Sequence, residues 1–445
     1  MKVSVAGTGY VGLVSGVCLA ELGHEVICVD IDKDKVEKIN SAISPIYEEG
    51  LEALLKKNTE SGKLTAVTNL KNAVLNSDIT LIAVGTPFDG ERIDLTFIKS
   101  VSEEIGEAIA EKSSYHVVVV KSTVVPGTTD DVVLPIIEKT SNKKLGEDFS
   151  VGMNPEFLKE GEAIADFMYP DRIVYGASDD KGLSSIRALY EVFPDVTKLE
   201  TDNRTAEMIK YTANSLLATM ISFSNEIANL CAKTGVDVTQ VTKGVHLDKR
   251  LSPILDDGTR ITPSFTTYIE AGCGFGGSCF PKDVKALVSY GEELGSSMQL
   301  LRSVVELNAE QPLKILQILE KHLPDYKGKS MAILGLSFKP GSDDMRESPA
   351  IPIINKLYQG GAKIKAYDPI AKHEAQKIFK DINIEYCDDL SSTVSDVDVV
   401  ILVTRWDEFS KLASLIPTTA DCPLIIDGRR MLDKNDFANY AGIGL

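Results

Sequence analysis

The segment Gly274-Phe275-Gly276-Gly277-Ser278-Cys279-Phe280-Pro281-Lys282-Asp283 carries the residues best suited to covalent chemistry. A cysteine attacks carbon only as its thiolate, which forms at neutral pH when a cation or backbone amide dipoles lie beside it. Three glycines give a backbone that can wrap a ligand and present its amides. Lys282 and Asp283 add a cation and an acid, and a helix entered after Pro281 adds its dipole. A cysteine that only fills a core needs none of this. The other six, Cys18, Cys28, Cys231, Cys273, Cys387 and Cys422, read as small hydrophobes. No C-x-x-C pair and no Cys/His cluster of zinc spacing occurs, so reduced thiols and no metal site are expected.

Lys210 and Asn214 lie four apart in a stretch with few helix breakers, from about Asn203 to Thr234. Its apolar residues, among them Met208, Ile209, Leu216, Leu217, Met220, Ile221, Ile227 and Leu230, predict one long helix. Residues four apart share a helix face, so both side chains can stabilise the oxyanion at one oxygen. The plainer reading is a solvated polar stripe.

Gly7-Thr8-Gly9-Tyr10-Val11-Gly12 is G-x-G-x-x-G placed between a strand, Val3 to Ala6, and a helical pattern ending at Gly23. Gly7 permits a tight turn, Gly9 lets a pyrophosphate approach the backbone, and Gly12 lets the helix pack on the strand. Asp30 stands 18 residues past Gly12, at the end of a second strand, Glu25 to Val29. An acid there takes the adenosine ribose and repels a 2′-phosphate, which favours NAD over NADP. Val84-Gly85-Thr86-Pro87 and Lys121-Ser122-Thr123 follow further strands and should border the nicotinamide.

These residues need a frame. Strands at Ile79 to Val84, Val117 to Val120 and Val151 to Met153, separated by helical stretches, imply a parallel sheet covered on both faces. Helical stretches follow the long helix at Val284 to Leu294 and at Leu300 to Leu319, the latter kinked or restarted at Pro312. Ser330 to Leu334, Lys363 to Tyr367, Val397 to Val403 and Leu424 to Asp427 form a second α/β unit, a degenerate copy of the first. The fold class expected is α/β: two Rossmann-like domains joined by a central all-helical one. Its bounds are 1–200 for the NAD-binding domain, 201–322 for the helical domain and 323–445 for the C-terminal domain.

The whole chain limits the partners. A net charge of −18 argues against nonspecific nucleic-acid binding, which needs a basic face. An anionic substrate would have to be met by local amides and a few basic side chains. No run approaches the roughly 18 apolar residues of a membrane span, and the N-terminus lacks the apolar stretch of a signal peptide. A cytoplasmic protein is expected.

The chain resembles the UDP-glucose/GDP-mannose dehydrogenase family over nearly its whole length. The resemblance rests on GTGYVG at Gly7, SPIYEEGL at Ser44, KSTVVPGT at Lys121, NPEFLKEG at Asn154, EMIKYTAN at Glu207, GFGGSCFPKD at Gly274 and GLSFKPGSDDMRESP at Gly335. It implies a four-electron, NAD-dependent oxidation of a nucleotide sugar, with Cys279 forming a thiohemiacetal and then a thioester. It assigns Lys210 and Asn214 to the oxyanion, Glu156 to thioester hydrolysis, Asp283 to the lysine and water network, and Thr123 to a water beside the reacting carbon. Cofactor contacts carry over to Gly7, Gly9, Tyr10, Val11, Gly12, Asp30, Lys35, Thr86, Thr123, Glu160, Lys282 and Arg346. Substrate contacts carry over to Glu156, Phe157, Leu158, Lys210, Asn214, Tyr268, Phe275, Gly276 and Lys339, joined by one of Arg429 and Arg430.

The resemblance also implies a homodimer through the helical domain. In the family an arginine near Arg250 reaches a neighbouring site. Here LSPILDDGTRIT lengthens that connection, and Arg250 and Arg260 both compete for the role. UDP-glucose is the expected substrate, with GDP-mannose or a UDP-N-acetylhexosamine as alternatives. A two-electron β-hydroxyacid dehydrogenase would not need Cys279 or the third domain. A non-enzymatic dinucleotide-sensing module has no use for Cys279, Lys210, Asn214 and Glu156 together.

Overall fold

The computed structural model describes residues 1–417, 419 and 421–445. The chain packs as two units, one of residues 1–213 and 289–294, the other of residues 214–288 and 295–445.

The first unit is built on β1 (Lys2–Ala6), β2 (Glu25–Val29), β3 (Leu64–Val67), β4 (Ile79–Ile82), β5 (His116–Val120), β6 (Phe149–Met153), β7 (Arg172–Ala177) and β8 (Thr197–Thr201). They form one sheet in the order β3-β2-β1-β4-β5-β6-β7-β8. Strands β4, β5 and β6 are buried along their whole length, as strands of a parallel sheet covered on both faces are. Alternate residues of β5 feed opposite faces: Val117 and Val119 join Val3 and Leu13 in one core, Val118 and Val120 join Ile82 and Ile98 in the other. The parallel expectation fails at one place, because β7 runs antiparallel to β6. Strand β8, Thr-Lys-Leu-Glu-Thr, is largely exposed; its charged side chains suit the sheet edge and hide it from a search for apolar runs.

The second unit holds a sheet of β9 (Ser330–Leu334), β10 (Lys363–Tyr367), β11 (Ile384–Tyr386), β12 (Val399–Leu402), β13 (Leu424–Asp427) and β14 (Tyr440–Gly442). Its order, β11-β10-β9-β12-β13-β14, repeats that of the first six strands. The copy extends to detail. Gly7 N–H donates to Val29 O at 2.8 Å, and Gly335 N–H to Tyr367 O at 2.9 Å. Asp30 accepts the Thr8 N–H, and Asp368 accepts the Leu336 and Ser337 N–H groups.

One helix spans Asn203–Thr234, the whole stretch expected. Ala218, fully buried, packs it against Phe275, Val284 and Val304, while Ala228 and Cys231 share a core with Met331 and Ile333 of β9. Helices Phe280–Glu293, Gln299–Glu310 and Lys314–His322 follow. The last two are separated by a 3₁₀ turn at Gln311–Leu313, where Pro312 lacks the N–H that would continue the first. Among the described residues no helix is long and apolar enough to cross a membrane.

Candidate active site

The first glycine turn is set by close approach. A Cβ on Gly7, whose φ is +97°, would lie 2.7 Å from Ala83 O, and one on Gly12 would lie 1.9 Å from Gly7 O. Gly9 has nothing within 4 Å of its Cβ position. The helix it opens, Tyr10–Glu21, has no capping side chain and no acid in its first turn, so its amides and dipole are available to an anion. Asp30, at the end of β2, accepts the Thr8 N–H at 3.0 Å and hydroxyl at 2.5 Å and lies 3.7 Å from Lys35 Nζ. Burial alone would push its carboxyl up, but the Thr8 hydroxyl and backbone amides outweigh it, and the group is held below the usual range. Thr86 Oγ1 donates to Thr123 O at 2.8 Å, which ties the loops after β4 and β5 together.

Tyr10 keeps only its backbone for a cofactor. Its phenol donates to the buried Glu48, which also accepts the Gly161 and Ala163 N–H groups at 2.7 and 2.8 Å. Val11 follows it in the first helical turn. Glu160 sits half-buried in the adjoining turn.

Glu156 and Lys210 form an ion pair at 2.8 Å, each side chain 4% exposed. The Glu156 carboxylate also accepts the Leu158 N–H at 2.6 Å. Burial raises its acidity constant's position on the pH scale, yet Lys210 overrides this and leaves it below the ordinary carboxylate range. The Phe157 ring lies 5.6 Å from Lys210 Nζ and 3.9 Å from the Arg172 guanidinium.

In the second unit the helix starts at Phe280, four residues before the Val284 expected, with Pro281 tolerated in its first turn. Cys279 O accepts the Asp283 N–H at 2.8 Å, so Cys279 stands at the N-terminal end of that helix, half-exposed, where the dipole favours a thiolate. Cys18, Cys28, Cys231, Cys273 and Cys422 are buried, and burial pushes Cys18 and Cys28 to about 12 and Cys273 to about 11. Asp283 accepts from Asn214 Nδ2 at 2.6 Å and pairs with Lys282 at 2.6 Å. Lys210 and Asn214, expected to aim at a single oxygen, are thus each bound to a carboxylate of their own. A buried ammonium demands a counter-charge, and Glu156 supplies it.

The glycines beside Cys279 serve the protein's own packing. A Cβ on Gly276 would lie 2.4 Å from Glu347 O, and one on Gly277 would lie 2.7 Å from the Phe338 ring. Gly277 N–H also donates to Arg346 O at 2.7 Å. The Phe280 ring lies 6.3 Å from that of Tyr268 and 6.0 Å from that of Phe275. Arg346 is bound to Asp344, and Lys339 Nζ lies 6.0 Å from the Phe338 ring. Arg430 is held by Asp237 and Ile443 O, whereas Arg429 Nη1 donates to Gly274 O at the start of the nucleophile segment. The added connection is a small hairpin: Ile254 bridges Arg260, and Arg260 Nη1 donates to Leu247 O and Ser252 O. Arg250 is exposed and paired with Asp248.

Side chains that hold these residues went unnoticed in the sequence. Asn308 accepts the Phe275 N–H and donates to Phe275 O, Gln311 donates to Gly272 O, and Asn225 accepts the Gly272 N–H. Their spacing gives no signal, because each acts through a segment distant along the chain. Glu48 and Glu207 could have been found, since each lies inside a quoted motif.

A dinucleotide turn with its acid, a sheet of that order and a thiol at a helix N-terminus define an NAD-dependent oxidoreductase. The family models of the UDP-glucose/GDP-mannose dehydrogenases match residues 1–194 as the NAD binding domain, 204–310 as the central domain and 332–434 as the UDP binding domain. The chain belongs to the UDP-glucose/GDP-mannose dehydrogenase family. It is 41% identical over 444 residues to the UDP-glucose 6-dehydrogenase TuaD of Bacillus subtilis, covering 99% of this chain and 92% of that one. A UDP-glucose dehydrogenase from Pyrobaculum islandicum matches with a TM-score of 0.90 at 37% identity, over 99% of this chain and 97% of its own. A UDP-D-ManNAc dehydrogenase from Pyrococcus horikoshii matches with a TM-score of 0.82 at 25% identity, over 100% and 99%.

Proposed function

We infer that the protein oxidises the primary alcohol of UDP-glucose to a carboxylate in two NAD-dependent steps, with Cys279 as the covalent nucleophile. The observation that carries the reading is the half-exposed thiol at a helix N-terminus in a chain of seven cysteines of which five are buried. Relatives named UDP-glucose 6-dehydrogenase, at 41%, 38% and 40% identity over 99–100% of the chain, support the substrate.

NAD⁺ fits the turn described above: Gly9 is open, the first-turn amides are uncapped, and Asp30 is held anionic for the ribose. When bound, NAD⁺ accepts one hydride in each oxidation. The residues of the chain do the rest. An aldehyde has no second hydride to give until a nucleophile adds to it, so Cys279 adds to the carbonyl carbon as thiolate. The oxyanion formed is held by Lys210 and Asn214, one helical turn apart. Oxidation of that adduct leaves a thioester, and Glu156 takes a proton from the water that hydrolyses it. Asp283 orients Asn214 and Lys282, and Thr123 holds water near the reacting carbon. Lys339 and Arg429 offset the diphosphate, and Tyr268, Phe275 and Gly276 shape the sugar's surroundings. The chain acts as a homodimer through its long helix.

The test is the amount of NADH formed per UDP-glucose consumed by purified protein. Two are expected. One would reduce the reading to a simple dehydrogenase, and none, with turnover of a UDP-N-acetylhexosamine or GDP-mannose instead, would move it to a sister substrate. Cys279→Ser should lose net turnover by at least about a hundredfold, the scale of a lost nucleophile; undiminished formation of two NADH would sink the thioester.

A further inference from the structure

Lys121 is the first residue beyond β5 and Asn154 the first beyond β6. The two strands are parallel neighbours with Val120 opposite Met153, so both residues leave the carboxyl end of the sheet, where open α/β sheets hold their ligands. Asn154 N–H donates to Val120 O at 2.9 Å and closes the ladder. Beyond that bond, Lys121 Nζ donates to Asn154 Oδ1 at 2.9 Å. The Tyr190 phenol donates to the same oxygen at 2.5 Å, and Asn154 Nδ2 donates to Val174 O at 2.7 Å. Asn154 is therefore fixed at both ends of its amide, and the chain reaches Glu156 two residues later.

Lys121 is 3% exposed. Burying an ammonium costs several kcal/mol unless an opposite charge or several acceptors offset it. Its hydrogen-bond partner is a neutral amide, and the ring of Phe167 lies 5.9 Å from the nitrogen. Glu156 stands two residues beyond Asn154, and the electrostatic effect is mutual: Glu156 favours the charged form of Lys121, and Lys121 favours the charged form of Glu156. Lys210 approaches the same carboxylate from the long helix and makes the direct ion pair. One buried ammonium thus pairs directly with the Glu156 carboxylate, and a second, held on Asn154, adds to its stabilisation. A lysine needed only for packing would be better served by an aliphatic side chain.

We propose that Lys121 is a positioning residue of the reaction centre: its buried ammonium, anchored on Asn154, fixes the strand end that carries Glu156 and supplies a second positive charge to the Glu156 carboxylate. Lys210 and Lys121 then divide the work. When Lys210 turns to the substrate oxyanion, Lys121 keeps Glu156 from being left as an unpaired buried anion. The proposal rests on Glu156 being the base of thioester hydrolysis. Burial brings Lys121 itself down to about 8, with Glu156 opposing and Lys210 adding to that effect. The second charge is therefore present at neutral pH and fades as pH rises through 8. Tyr190, whose phenol shares the Asn154 oxygen, is held by burial in its neutral form well above the usual phenol range.

The test compares kcat against pH for the wild type, Lys121→Met and Lys121→Arg, with melting temperature as the check on folding. With one cation removed, the acid limb of Lys121→Met should move about one pH unit higher, and Lys121→Arg should return it. An acid limb that stays in place in Lys121→Met would overturn the proposal. So would a loss by one factor at every pH without rescue by arginine, which marks a merely structural lysine. If Lys121→Met does not fold, Lys121→Gln carries the same comparison, because its amide can still donate to Asn154. Glu156→Gln separates the two levels. Full turnover in that variant removes the base itself, whereas an inactive Glu156→Gln with an unmoved limb in Lys121→Met removes only the role of Lys121.

Discussion

Glu207 is fully buried near the start of the long helix and accepts from Gly127 N–H at 2.5 Å and from the Thr129 N–H and hydroxyl at 2.9 and 2.7 Å. It thereby ties the helix that carries Lys210 to the loop that carries Thr123. Burial raises its carboxyl to about 7 from the ordinary 4.5, and the three donors only partly oppose this. The folded protein then binds a proton between those values that the unfolded chain does not. Its contribution to stability is full below 4.5 and is lost as pH rises through about 7, a difference of ~3 kcal/mol. Glu207→Gln cannot titrate, so the fall of melting temperature between pH 4.5 and 7.5 should flatten in that variant, whatever its overall stability. Thermal unfolding across that range decides it, and an unchanged slope would assign the pH dependence elsewhere. Glu207 was visible as a letter in EMIKYTAN, but its role depends on burial, which one sequence does not display. Cys279 differs, because the helix whose N-terminal end it occupies begins with its next neighbours along the chain. Lys121 lies between these cases: it opens the motif KSTVVPGT, but the partner that gives it meaning follows another strand.

At the scale of elements, the glycine turn separates two jobs that its letters alone merge. Gly9→Ala adds a Cβ to open space, whereas Gly12→Ala drives one to 1.9 Å from a backbone oxygen. Gly9→Ala should leave the melting temperature near wild type and weaken NAD⁺ binding, measurable as a raised KM for NAD⁺ with little change in that for the nucleotide sugar. Gly12→Ala should lose about 1–3 kcal/mol of stability as well, the usual cost of overpacking. Equal melting temperatures for the two variants would refute the division. The elements were legible where periodicity was strong, as in the long helix at Asn203–Thr234 and the apolar strands β1, β5 and β9. They were not legible where the sheet meets solvent: β8 is polar, β11 and β14 are three residues each, and the reversal at β7 leaves no mark in composition. By letter alone the glycines around Cys279 suggest room for a ligand. Their nearest neighbours are the Phe338 ring and the Glu347 backbone, partners about 60 and 70 residues away that no local pattern could reveal.

For the whole molecule, a net charge of −18 makes two copies repel, although salt screens this beyond about 8 Å at physiological ionic strength. A homodimer of the kind proposed would therefore have to be held by an apolar seam. On the long helix Leu216, Phe223 and Leu230 follow one another at intervals of seven and are 59%, 56% and 57% exposed. Seven residues are nearly two full turns, so the three side chains lie on one stripe, the spacing used by paired helices. Burying each is worth about 1.5–3 kcal/mol, whereas leaving three large apolar groups in water on a single helix face gains nothing. Phe223→Asp places a carboxylate in the middle of that stripe, where pairing would have to desolvate it. Sedimentation of the wild type at micromolar concentration should give twice the chain mass. Phe223→Asp should give the chain mass at the same concentration, with the helical signal in circular dichroism unchanged. A wild type that sediments as one chain, or a Phe223→Asp variant that remains paired, would show that this stripe is not where two copies meet.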